Sequence, residues 1–95
     1  MTHVMVRYRV KADRVEENEA LVRAVYEELQ ETRPEGLRYR TVKCDDGVTF
    51  VHLATTIDDG QLREVAAFRR FREGLDDRCE APPQRTVVTE IGAYV

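Results

Sequence analysis

Val48 to Ile57, VTFVHLATTI, constrains the fold of this chain more than any other stretch. It is rich in β-branched and aromatic residues, and its period of two sorts the side chains onto two unlike faces, as in a sheet strand. Val51, Leu53 and Ile57 point one way with Thr55 among them. Phe50, His52, Ala54 and Thr56 point the other way. One apolar face and one mixed face make a half-buried strand, so the apolar side is expected against the core and function on the mixed side.

The rest of the chain supplies partners for this strand. Val4 to Val10 alternates, with Val4, Val6, Tyr8 and Val10 against Met5, Arg7 and Arg9. Asp13 followed by Glu16 has the spacing of a capping box and predicts a helix from about residue 13 to Thr32. Its apolar stripe holds Val15, Val22, Val25, Tyr26 and Leu29, and Pro34 and Gly36 stop it. Leu37 to Cys44 reads as a second strand. Asp45-Asp46-Gly47 has hairpin chemistry and leads into Val48–Ile57, and Asp58-Asp59-Gly60 turns the chain out again. Leu62, Val65, Phe68, Phe71 and Leu75 mark a second helix ending near Asp77. After the connector Ala81-Pro82-Pro83-Gln84, a last strand is predicted from Arg85 to Val95.

The order β-α-β-β-α-β predicts an α+β, ferredoxin-like domain over residues 1–95, with an antiparallel four-stranded sheet and both helices on one face. Strands one and three are expected at its centre. The helices are expected to cover Val4, Val6, Tyr8, Val51, Leu53, Val87 and Ile91. The opposite face is then left with Met5, Arg7, Arg9, Phe50, His52, Ala54, Thr56, Val88, Glu90 and Tyr94. That face is too apolar to be simply solvated, and a second copy of the chain is the cheapest cover, giving a homodimer.

Composition narrows the partners. A net charge of −3 provides no positive field to draw the chain to nucleic acid or an anionic membrane. No run approaches the ~20 apolar residues of a membrane span. The N-terminus MTHVMVRYRV lacks a signal-peptide layout. Cys44 and Cys79 form neither a disulfide framework nor a metal spacing, and they read as reduced thiols of a cytoplasmic protein.

The strand TFVHLAT, the helix AAFRRFREGL and the β-α-β-β-α-β order together resemble the antibiotic biosynthesis monooxygenase (ABM)-like family of dimeric α+β barrels. The resemblance covers nearly the whole chain and rests on pattern, not on a catalytic signature. It implies a homodimer with two sheets packed face to face and a ligand held between sheet and helices. Among the family's activities it implies oxidation of polycyclic aromatic substrates by O2 with no metal or flavin. The chain departs from the catalytic members in having no tryptophan, and its second helix lacks the histidine of the haem-degrading members. No catalytic residue is therefore carried over by motif.

The residues themselves offer candidates. His52, on the mixed face of a central strand, suits a general base for a phenol or hydroquinone, which deprotonation turns into an electron donor to O2. The competing reading is a structural histidine. Arg7, Arg9 and Glu90 are expected to share that face, either orienting an anionic or phenolic substrate or forming an ion pair. Phe50 and Tyr94 could shape a pocket for a flat aromatic ligand or simply pack. Asn18 interrupts the apolar stripe of the first helix and needs a partner, which backbone, water or ligand could supply. No cofactor or metal is called for, because no close Cys/His/Asp cluster, phosphate-binding Gly-rich loop or G-x-S-x-G motif is present. An RNA-recognition domain shares the element order, but Val48 and Arg7 stand where stacking rings are needed. The leading expectation is a small-molecule-binding ABM-like protein, with cofactor-independent monooxygenation of an electron-rich aromatic as its candidate chemistry. The alternative is a non-catalytic dimeric barrel that binds a ligand or protein partner.

Overall fold

A computed structural model describes residues 1–58 and 60–94. Four strands form one antiparallel sheet: β1 (Thr2–Arg9), β2 (Arg38–Lys43), β3 (Thr49–Thr56) and β4 (Gln84–Val88), in the order β2-β3-β1-β4. The two central strands are β1 and β3, as the sequence predicts, in register from Thr2 opposite Thr56 to Arg9 opposite Thr49. The hairpin between β2 and β3 is fixed by Gly47, at φ 79°, and by Asp46, whose carboxylate accepts from the amides of Val48 and Thr49. The Thr49 hydroxyl, which also donates to this carboxylate, and the two amide bonds hold the Asp46 carboxyl down at about 2.

One face of the sheet is covered by α1 (Val15–Thr32), α2 (Ala66–Arg72) and the single turn α3 (Leu75–Arg78). Tyr8, Val10, Val22, Val25, Phe50, Val65, Phe71 and Leu75 are buried between them and make the core. No helix among the described residues is long and apolar enough to cross a membrane.

Several elements differ from the sequence-based expectation. Asp13 and Glu16 form no capping box: a 3-10 turn at Ala12–Arg14 precedes α1, no side chain caps it, and Arg14 instead donates to Glu17. Arg33, in the left-handed region at φ 45°, ends α1 ahead of Pro34, and its amide donates to the Leu29 carbonyl. The second helix is broken into a 3-10 turn at Leu62–Glu64, α2 and α3: Val65 is extended between the first two, and extended Glu73 followed by Gly74 at φ 77° divides the last two. The last strand stops at Val88. It runs antiparallel to β1, Val88 lies opposite His3, and β1 offers only Thr2 beyond that, so residues 89–94 leave the sheet. Asp59 of the predicted turn and Val95 of the predicted strand lie outside the described residues.

The largest correction concerns the two faces of β3. Phe50 pairs with Tyr8, His52 with Val6 and Ala54 with Val4, so the mixed row faces the helices. Leu53 is 43% exposed on the opposite face, where Val51 is half-buried and Ile57 beyond it is exposed. Nor do the helices cover Val87 or Ile91, both of which are exposed. The inversion has a physical cause: the hydroxyls of Tyr8 and Tyr39 pair with both ring nitrogens of His52, so the neutral imidazole is buried with neither nitrogen unpaired. The uncovered face holds Val42, Val51 and Arg7 in one row and Arg40, Leu53, Met5 and Thr86 in the next.

Candidate functional site

Between the sheet and the helices lies a cavity of about 530 Å³. Its floor is the helix-facing row of the sheet: Val4, Val6, Tyr39, His52, Ala54 and Thr56. Leu62, Phe68, Phe71 and Leu75 close it from the helix side, and Pro82 and Pro83 border it. Arg63, Arg72, Arg85 and Asp76, all exposed, carry the charge of its mouth, three cations against one anion. The break at Gly74 separates α2 from α3, so that Arg72 stands before it and Asp76 after it.

His52 is at the centre of the floor, 4% exposed, and both ring nitrogens are hydrogen-bonded within the protein. Nε2 lies 2.7 Å from the Tyr8 hydroxyl; Nδ1 lies 2.5 Å from the Tyr39 hydroxyl and 3.1 Å from that of Thr41. The register explains the meeting, since Thr41 is directly opposite His52 on β2, and Val6, next but one to Tyr8, is opposite it on β1. The imidazole also lies 5.2 Å from the Phe71 ring. Burial brings its pKa down to about 4, so the ring is neutral near pH 7. The same burial pushes the Tyr8 and Tyr39 phenols well above their usual value, so both stay protonated.

Behind His52 the hydrogen bonds continue into the core. Asn18, fully buried on α1, donates from Nδ2 to the Tyr8 hydroxyl at 3.0 Å. Its Oδ1 accepts from Nε of Arg78 at 3.1 Å. Arg78 is 1% exposed, and its other nitrogens donate to the carbonyls of Phe71 and Glu73. Its guanidinium packs 5.5 Å from the centre of the Phe71 ring. The chain segment after α3 holds Arg78 in place: Cys79 bridges to Val10, the Lys11 amide donates to the Arg78 carbonyl, and the Glu80 amide donates to that of Arg9. At the other end, Thr41 is 2.7 Å from the Tyr26 hydroxyl, and Tyr26 stacks on Tyr39.

Of the residues singled out from sequence, only His52 lines the cavity, and from the helix side of the sheet instead of the open one. Asn18 joins it through Tyr8. Phe50 stacks on Tyr8 in the core and is not part of the cavity wall. Arg7 and Arg9 lie on the opposite face, and Arg9 pairs with Glu80. Glu90 and Tyr94 are exposed in the segment beyond β4, so the expected Arg/Glu90 group does not form. With both ring nitrogens engaged, His52 has no free lone pair to offer a ligand directly. Sequence reasoning missed Tyr8, Tyr39, Thr41 and Arg78. The legible signal was Tyr8, whose hydroxyl sits in an otherwise apolar row and needs a partner.

No protein-family model matches the sequence, and neither does any curated protein. Solved structures match the chain's fold. A protein from Nitrosomonas europaea, provisionally described as an antibiotic biosynthesis monooxygenase, superimposes with a TM-score of 0.78 at 22% identity, covering 97% of this chain and 100% of that one. A similarly described protein from Bacteroides thetaiotaomicron gives 0.80 at 16%, over 99% and 92% of the two chains. SnoaB from Streptomyces nogalater, a cofactor-independent oxygenase, gives 0.68 at 15%, over 97% and 94%.

Proposed function

We propose that this chain, which has the ABM-like fold, binds a small aromatic molecule in the cavity between sheet and helices and oxidises it with O2 without a cofactor. The observation that carries this reading is the cavity itself, with the paired His52 and Tyr39 in its floor. At about 530 Å³ it lies within the usual range for small-molecule pockets, mostly apolar with a few convergent polar groups. The candidate reaction balances without a second reductant. A phenol plus O2 gives a quinone plus water, one oxygen atom entering the ring and the other leaving with two substrate hydrogens. All four electrons come from the substrate. In this reading the Tyr39 hydroxyl, backed by His52, meets the substrate oxygen, while Phe68 and Phe71 flank the ring.

The uncovered sheet face supports a homodimer assembled through Met5, Val42, Val51 and Leu53, and we propose the cytoplasm as its place of work. One observation favours a second reading, binding without turnover: both nitrogens of His52 are used inside the protein. Oxygen uptake with a panel of phenols and hydroquinones separates the two. An oxygenase consumes O2 with at least one of them and slows about tenfold or more as His52→Ala, the scale of one hydrogen bond lost from the Tyr39 hydroxyl. Ala54→Trp, which fills the cavity, abolishes both binding and uptake. Binding that survives Ala54→Trp would rule out the cavity, and binding without uptake would leave the non-catalytic barrel.

A further inference from the structure

We propose that Arg78 and Asn18 are positioning residues that lock His52 in its Nδ1-protonated tautomer, so that Tyr39 presents its hydroxyl proton to an anionic oxygen in the cavity. The order of protons along the chain follows from its first member. A guanidinium has donors only, so the Asn18 atom 3.1 Å from the Arg78 Nε is the amide oxygen. The amide nitrogen therefore faces Tyr8 and donates to it. Tyr8 accepts there and has its own proton to give. Among the described residues its other partner is Nε2 of His52, 2.7 Å away, which must be the bare nitrogen. A neutral imidazole carries one proton, and that proton is consequently on Nδ1, directed to the Tyr39 oxygen.

The opposite tautomer would leave the buried Tyr8 with two donors aimed at its oxygen and no acceptor for its own proton. The fixed charge of Arg78 reinforces the same polarity, since every N–H and O–H from Asn18 to Tyr39 points away from it. Tyr39 receives a hydrogen bond from His52, and among the described residues the one other side chain bonded at its hydroxyl is Thr41, whose own hydroxyl already pairs with Tyr26. Because Tyr39 lines the cavity, its own proton can be given to a ligand oxygen. A donor of this kind, with Arg72 and Arg85 at the mouth, selects a phenolate or enolate over the neutral phenol. His52 then acts through Tyr39, not as a base. The last step rests on the proposed cavity ligand; the tautomer does not.

The test reads the tautomer directly, from long-range proton–nitrogen spectra of the ¹⁵N-labelled full chain at neutral pH, with a His3→Gln sample to separate the two histidines. The expected wild-type pattern is a protonated Nδ1 and a bare Nε2; a protonated Nε2 overturns the proposal. Asn18→Asp keeps a partner for Arg78 but puts a carboxylate where the amide donor was. It should take the Tyr8 proton and reverse the tautomer, and an unchanged tautomer in a folded variant overturns the relay. 4-Nitrophenol, whose ionisation is visible by absorbance, probes the cavity. We expect about a tenfold preference for the phenolate, the effect of one charge-assisted hydrogen bond, lost in both Asn18→Asp and Tyr39→Phe. Binding with no preference for the phenolate overturns the role of Tyr39. Neither readout involves oxygen uptake, so a failed oxygenase assay leaves the relay standing, and a failed relay leaves the oxygenase reading standing.

Discussion

His52 has a pKa of about 4 in the folded chain against 6.5 for a free imidazole, and the cause is burial alone. Between these two values the unfolded chain binds the proton and the folded chain does not, so stability must fall as pH drops from about 6.5 to about 4. It is constant with respect to this group above and below that window. The full effect is on the order of 3 kcal/mol, and His52→Gln should flatten the slope of unfolding free energy against pH across the window. A urea titration series of the two proteins checks this, and equal slopes would mean that His52 is solvated. At this scale the sequence was partly legible. Asn18 stood out as a polar residue on an apolar stripe, and it does have buried polar partners. Arg78 did not stand out, because nothing local distinguishes an arginine held 1% exposed from the exposed arginines around it. Its burial comes from the bridge between Cys79 and Val10, a contact across most of the chain.

α2 is only seven residues long, and its own N-cap position, Val65, has no side chain able to accept a hydrogen bond. Glu28 of α1 does that work from outside: its two carboxylate oxygens accept from the amides of Ala66 and Ala67 at 3.0 and 2.9 Å. The pair joins the two helices and holds α2 over the cavity. Glu28→Ala should therefore cost about 1 kcal/mol, the usual loss for a helix cap, and the amides of residues 66–72 should exchange faster while those of β1 and β3 do not. Uniform acceleration would show instead that α2 opens only with the whole fold. The four strands, the two helical regions and their order were readable from periodicity and turn residues. The helix breaks were less so. Gly74 within an apolar stripe is compatible with a continuous helix, and it is extended Glu73 followed by left-handed Gly74 at φ 77° that separates α2 from α3.

Across the whole molecule the face of the sheet away from the helices remains uncovered, with Leu53 43% and Val42 48% exposed beside Met5 and Val51. If a second copy covers it, Leu53→Asp should leave a monomer by native mass spectrometry, because an unpaired carboxylate would otherwise be buried near the middle of the interface. A dimer that survives this change would have to use another surface. Which face of β3 meets the helices was not legible from sequence, since both rows are largely apolar or small, and the deciding groups are hydroxyls on β1 and β2. The tyrosines that settled the matter have an optical side. The chain has four tyrosines and no tryptophan, so its near-ultraviolet emission comes from phenols alone. Tyr8, Tyr26 and Tyr39 belong to the hydrogen-bonded cluster around His52, whereas Tyr94 is wholly in solvent. Excited Tyr8 can give up its proton to the bare Nε2 of His52 and so emits weakly, which leaves Tyr26, Tyr39 and the solvated Tyr94 to supply the light. Replacing Tyr94 with Phe would darken the background and leave the light of the cavity floor, a built-in reporter of whatever molecule comes to rest against Tyr39.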